Sequence, residues 1–219
     1  MTPNPNLETS LPNEPPVIPA GDRHHRPCFD RSARGDEARA VARPPRAFRR
    51  RALLGADDGP IEIVEYDPSW PACYVTERER LAPLLPGVHL HHIGSTAVPA
   101  LAAKPVIDMI ALVDTLDATA EIAARLASYE MPARFNANLA HRRFLCHPSA
   151  SFRTHHLHLV DERADLEQCL RFRDLLRTEP VLAREYASLK RGLAARFKEN
   201  RERYTEAKTS FIRAAKGTS

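Results

Sequence analysis

The chain has 219 residues, 43% of them hydrophobic, which suffices for one well-buried domain plus a tail. No apolar stretch approaches the roughly 20 residues that span a bilayer, residues 1–20 carry no basic-then-apolar signal, and Cys28, Cys73, Cys146 and Cys169 form no C-x-x-C pair. A membrane span, a disulfide framework and a cysteine zinc site are thereby excluded, and a cytoplasmic protein with reduced thiols is expected. The net charge of +4 arises within residues 1–55, where ten arginines face six acids. The remainder is balanced, which gives no case for a nucleic acid or a membrane as partner.

Ten of the 19 prolines fall within the first 60 residues, with little apolar periodicity between them. Residues 1–58 are therefore expected to be a disordered Pro/Arg-rich tail, its RAFRRRALLG run solvated, with the folded domain over residues 59–216. IEIVEY alternates and predicts a short strand. Asp67 or Ser69 caps a helix that opens on Pro68 and Pro71 and buries Tyr74, Leu81, Leu84 and Leu85. HLHHIG predicts a strand, STAVPALAAK a turn and short helix, and PVIDMIALV a central strand apolar on both faces. A helix over residues 117–129 precedes two strands, HRRFLCH and THHLHLV. The rest is helical, with Thr178 as N-cap before Leu182, Tyr186, Leu189, Leu193 and Phe197, then a last stripe of Tyr204, Lys208, Phe211 and Ala215.

A strand ending in Ile93-Gly94-Ser95 and running into a helix suits a phosphate, because glycine admits close backbone approach and helix N–H groups favour an anion. After a spacer of twelve comes Asp108, a carboxylate between Ile107 and Met109 that needs a cation or hydrogen bonds. This order resembles that of nucleotidyltransferases, in which the Gly-Ser turn positions a nucleoside triphosphate and strand carboxylates hold divalent metal. The blocks VEYDPSWP, HHIGSTAVPALAAKPVID, RRF, THHLHLV, LRFRDLLRTEPVLAREYASLKRGLAARF and YTEAKTSFI resemble those of the GrpB family in order and spacing, over nearly all of residues 62–213. That resemblance implies an α/β (α+β) fold: a nucleotidyltransferase-like mixed sheet flanked by helices, with a helical C-terminal part. It also implies a nucleotide or other phosphorylated small molecule as ligand and, because some relatives are fused to dephospho-CoA kinase, a link to coenzyme A metabolism by association.

The two-metal arrangement calls for a second carboxylate two residues after Asp108, and that position is Ile110. His156 and His158 share a strand face and with Asp108 make an alternative two-His-one-carboxylate metal set. Three readings follow: transfer of a nucleotidyl group with Mg or Mn, Asp108 and His158 being the catalytic candidates; a non-catalytic nucleotide- or phosphate-binding module; and a mononuclear enzyme holding Zn or Fe on Asp108, His156 and His158. Candidate phosphate contacts are Gly94 and Ser95, His92 and Thr96 of the same HIGST block, Lys104, and Arg143 as an inward anion contact. The repeated i, i+4 pairs Tyr186 with Lys190 and Tyr204 with Lys208 join them, as lysines bordering apolar stripes that snorkel or meet an anion. His89 is expected on a solvated face.

Overall fold

In the computed structural model, residues 60–117, 119–136 and 140–217 are described. The tail expected over residues 1–58, with Cys28 and the arginine run, lies outside them. Strands β1 (His91–Ile93), β2 (Ile107–Leu112), β3 (Arg142–Pro148) and β4 (Arg153–Val160) form one sheet in the order β1-β2-β4-β3. β2 is antiparallel to β1 and parallel to β4, and β3 is antiparallel to β4. The sheet is therefore mixed, and the α/β class implied by the sequence blocks holds.

Residues paired across a ladder share a face. Asp108 pairs with His156 and Ile110 with His158, so these four side chains lie on one face. Ile107, Met109, Ala111, Leu157 and Leu159 lie on the other, all fully buried. Helix α1 (Trp70–Leu81) covers that second face with Trp70 and Leu81. It starts where the sequence places it: the Asp67 carboxylate accepts from the Ser69 N–H at 2.9 Å and the Ser69 hydroxyl at 2.6 Å, and proline follows in the first turn. Each large aliphatic side chain buried there contributes on the order of 1.5–3 kcal/mol.

After β2 come the short helices α2 (Thr119–Arg125) and α3 (Ala133–Asn136), and after β4 the long helices α4 (Arg163–Thr178), α5 (Pro180–Arg196) and α6 (Arg201–Ala215). Leu166 of α4 packs on Ile93, Ile110 and Val160, closing part of the Asp108 face. Leu176, Tyr186 and Ala187 bury Val98, Leu101 and Ala102 of the connection between β1 and β2. The helical half thus grips the segment that follows the Gly-Ser turn.

Three local expectations are corrected. IEIVEY makes a single bridge, Val64 to Ala103, because its partner is an isolated residue of the irregular connection between β1 and β2 rather than a strand edge. The helix expected over residues 117–129 spans only Thr119–Arg125, and Tyr129 instead turns its hydroxyl to Glu77 Oε1 at 2.7 Å. Thr178 ends α4 rather than capping α5: its hydroxyl donates back to the Asp174 and Leu175 carbonyls at 3.2 Å, and Glu179 alone separates the helices. Cys73 and Cys169 are free thiols. Among the described residues no helix is long and apolar enough to cross a membrane.

Candidate active site

The site is organised by Gly94, which follows β1 with φ of 70°. A β-carbon there would stand 2.5 Å from Asp108 Oδ2. Glycine is needed twice, for the left-handed backbone and for the approach of the carboxylate. The helix expected after it is one 3-10 turn, Ser95–Ala97, with too few aligned peptides to supply a useful dipole, so that part of the phosphate expectation is corrected.

The turn is fastened from beneath and from α4. Thr96 is buried, its hydroxyl donating to the Val106 carbonyl at 3.2 Å and lying 3.1 Å from His92 Nε2. His92 pairs with Met109, which puts it on the face opposite Asp108, stacked 4.7 Å from the Tyr74 ring. Burial, reinforced by the Arg177 and Arg173 charges against the opposing pull of Asp108, lowers its pKa to about 4. His92 and Thr96 therefore build the floor of the turn instead of facing a ligand. From α4, Arg177 donates to the Ala97 carbonyl through Nε at 3.0 Å and Nη2 at 2.7 Å, while Arg173 Nη1 donates to the His92 carbonyl at 3.0 Å. Asp174 binds both guanidinium groups. This clamp is not singled out by the sequence analysis; the one available signal is two arginines at i, i+4, Arg173 and Arg177, bracketing the acid Asp174.

Asp108 Oδ1 accepts from His156 Nδ1 at 2.7 Å. Burial raises the Asp108 pKa, but that hydrogen bond and the charges of His156, His158 and Lys104 outweigh it and hold it at about 2. Burial lowers His156 against the pull of Asp108, and burial with the Arg142 charge lowers His158 to about 3. Both imidazoles are neutral at neutral pH. Because an ionised carboxylate only accepts, His156 carries its proton on Nδ1 and a lone pair on Nε2. Among the described residues no hydrogen-bond partner reaches His156 Nε2 or His158 Nδ1, both buried. One ligand atom from each of Asp108, His156 and His158 lies within 4.8 Å of the others, the only such group of three among the described residues. Orphaned nitrogens beside an anion fit a divalent cation with borderline character, zinc or iron before magnesium. They do not fit a two-metal carboxylate clamp, since Ile110 is fully buried against Ile93, Val160 and Leu166.

On the other side of Asp108 stands a cationic cradle. Lys190 is only 2% exposed, and its Nζ donates to Ser95 Oγ at 2.8 Å and to the Ala102 carbonyl. Burial, with the charges of Lys208 and Arg191, lowers its pKa to about 7, opposed by Asp108. Burial also lowers Lys208, again opposed by Asp108. Each lysine lies over the ring of the tyrosine four residues before it, Lys190 at 4.7 Å from Tyr186 and Lys208 at 4.3 Å from Tyr204. The fold brings Gly94, Ser95, Lys104, Tyr186, Lys190 and Lys208 together around Asp108, with His156 and His158 on its far side. Arg143 is not among them. It pairs with Leu159 on the opposite face and donates to the Arg142 carbonyl at 3.0 Å. Strand alternation gives the inward position to Arg142, whose charge reaches His158. His89 is exposed, as expected.

The family model described as GrpB protein matches residues 60–217. The chain belongs to the GrpB family. It is 39% identical over 175 residues to a UPF0157 protein of Pseudomonas aeruginosa, covering 77% of this chain and 71% of that one. It is 35% identical over 159 residues to the UPF0157 protein YqkA of Bacillus subtilis, covering 71% of this chain but 46% of YqkA, so it spans about half of that relative. The crystal structure of conserved protein GrpB from Enterococcus faecalis superposes with a TM-score of 0.64 at 31% identity, covering 71% of this chain and 95% of that one.

Proposed function

We propose that this GrpB protein is a metal-dependent enzyme that transfers a nucleotidyl group from a nucleoside triphosphate to a small acceptor, using one divalent cation rather than two. The observation that carries the reading is the position of Asp108, packed on Gly94 beside a Ser95–Lys190 contact and hydrogen-bonded to His156. A ligand set for one cation and a cradle for an anion share a single carboxylate. Asp108, His156 and His158 would hold the metal, which supplies Lewis-acid polarisation of a phosphoryl oxygen. Gly94 admits the triphosphate to the backbone. Lys104 and Lys208 neutralise the charge that collects on departing pyrophosphate. The Arg173 and Arg177 clamp keeps the turn from moving as that charge develops.

Elemental analysis after gentle purification, followed by calorimetric titration with four nucleoside triphosphates and a pyrophosphate-release assay, tests this reading. We expect about one equivalent of transition metal and metal-dependent pyrophosphate release with one preferred nucleotide. A protein that binds no triphosphate with any of Mg, Mn, Zn or Fe is no nucleotidyltransferase. The burial of Ile110 favours a second reading, a nucleotide-binding module without turnover, which predicts tight binding and no pyrophosphate.

A further inference from the structure

Lys190 is enclosed and Ser95 is not. The Gly94–Ser95 end of the turn opens to solvent, with Gly94 exposed and Ser95 half-buried, while Lys190 reaches it from inside the protein. A lysine placed to neutralise an incoming phosphate would present Nζ to the cradle; this one spends it on a hydroxyl and on the Ala102 carbonyl. A hydroxyl at the surface of a left-handed turn, with a buried amine 2.8 Å behind it, has the parts of an activated nucleophile and its base. We propose that Ser95 is a covalent nucleophile, with Lys190 as its general base, and that group transfer passes through a phosphoserine diester at residue 95.

The proposal rests on the nucleotidyl-transfer reading of the same site and divides it into two steps. In the first, Ser95 Oγ forms a bond to the α-phosphorus of the triphosphate. The bond from that phosphorus to the bridging oxygen breaks, pyrophosphate leaves with the electron pair, and the Oγ proton passes to Lys190 Nζ. In the second, a hydroxyl of the acceptor attacks the same phosphorus and its proton goes to solvent. The Ser95–phosphorus bond breaks, and Lys190 returns its proton to Ser95 Oγ.

The amine must be neutral to accept that proton, and the 2.8 Å contact then runs with the Ser95 hydroxyl donating to the Nζ lone pair while an N–H still donates to the Ala102 carbonyl. Burial works toward this, as do the nearby charges of Lys208 from α6 and Arg191 from α5, and together they outweigh Asp108 from β2. Tyr186 and Tyr204 are held neutral by burial and add no charge.

The test uses the full chain and a fluorophosphonate probe, which needs neither metal nor the true substrate. Ser95 Oγ bonds to the probe's phosphorus, fluoride leaves with the electron pair, and Lys190 takes the proton. Intact mass spectrometry and peptide mapping should find one adduct, on Ser95, absent in Ser95→Ala. The wild-type labelling rate should rise as pH passes about 7 and level off above it, a readout that requires no variant. Lys190→Arg, folded by circular dichroism, keeps the positive charge but cannot act as a base, and should label on the order of a hundredfold more slowly. If Ser95 stays unlabelled while triphosphates release pyrophosphate, the covalent step is wrong and nucleotidyl transfer stands. Labelling of Ser95 without pyrophosphate release from any triphosphate upholds the serine nucleophile and overturns nucleotidyl transfer. Absence of both overturns both.

Discussion

Gly94 and Asp108 are in direct contact: a β-carbon on residue 94 would meet Asp108 Oδ2 at 2.5 Å and its Cβ and Cγ at 3.1 Å. Substitution therefore acts on the site and on the backbone together. Gly94→Ala should lose about 1–2 kcal/mol from the left-handed conformation alone, and the displaced carboxylate should weaken metal binding by more than about tenfold. Urea unfolding and metal titration on the same variant check both parts. An alanine variant that binds metal normally would remove Gly94 from the functional account.

Asp108 has His156 as its hydrogen-bond partner, and no arginine bonds to it among the described residues. Its pKa in the fold is about 2 against a usual 3.8. A depressed carboxyl stabilises the fold above pH 3.8, and that stability is lost as pH falls through about 2. Asp108→Asn should thus cost metal-free protein about 2 kcal/mol at pH 7, below the roughly 3–5 kcal/mol of a stranded buried ion pair. Metal affinity should fall much further. Unfolding curves and metal titration compared at pH 7 separate the two effects.

The histidines make a prediction in a different pH range. His92 and His155 are lowered to about 4 and His158 to about 3, burial being the first cause in each case, against a usual 6.5. Between those values the unfolded chain binds protons that the fold refuses, so stability is complete above pH 6.5 and falls as pH drops toward 4. Each tenfold loss of proton affinity on folding corresponds to about 1.4 kcal/mol, so the three together should remove several kcal/mol by about pH 4.5. Urea midpoints of metal-free protein from about pH 7.5 to about 4.5 should decline steeply, and a flat profile would mean that these imidazoles ionise within the fold.

Much of the site is legible in the sequence alone. Alternation places His156 and His158 on one face, the apolar run PVIDMIALV predicts a central β2, and the family blocks carry the mixed sheet. Contacts between distant segments are not legible in the same way. Arg177 meets Ala97 and Arg173 meets His92 only because α4 folds back over β1. The choice between Arg142 and Arg143 depends on the register with β4, since neighbours on a strand point oppositely and one residue of slip exchanges them. His92 misleads for the same reason, being next to the Gly-Ser turn along the chain but across the sheet from Asp108 in space.

A polar cluster on that opposite face gives a control. Glu77 is buried, and its carboxylate accepts from Arg80 at 2.6 and 2.9 Å and from the Tyr129 hydroxyl at 2.7 Å. Tyr129→Phe removes one of these donors and leaves the arginine in place. It should cost on the order of 1–3 kcal/mol and leave nucleotide and metal affinity unchanged, as read by melting and by titration. An effect on binding would show that the two faces of the sheet communicate.

Ile110 occupies the position at which a second metal-binding carboxylate would stand, and the obvious experiment is to restore one. Ile110 has no exposed surface and packs on Ile93, Val160 and Leu166. Ile110→Asp would exchange an aliphatic side chain for a charge that must be desolvated, on a central strand that cannot move aside. Loss of packing costs about 2–5 kcal/mol, and desolvation of the carboxylate adds to this unless a cation compensates. The variant should therefore melt far below the wild type, and added Mg or Mn should recover little of the loss, because Leu166 from α4 occupies the space that a second ion would need. Thermal melts with and without each cation decide the matter. A variant that folds only with metal and binds two equivalents would show that the site is a two-metal clamp lacking one ligand, and the single-metal reading would have to be abandoned.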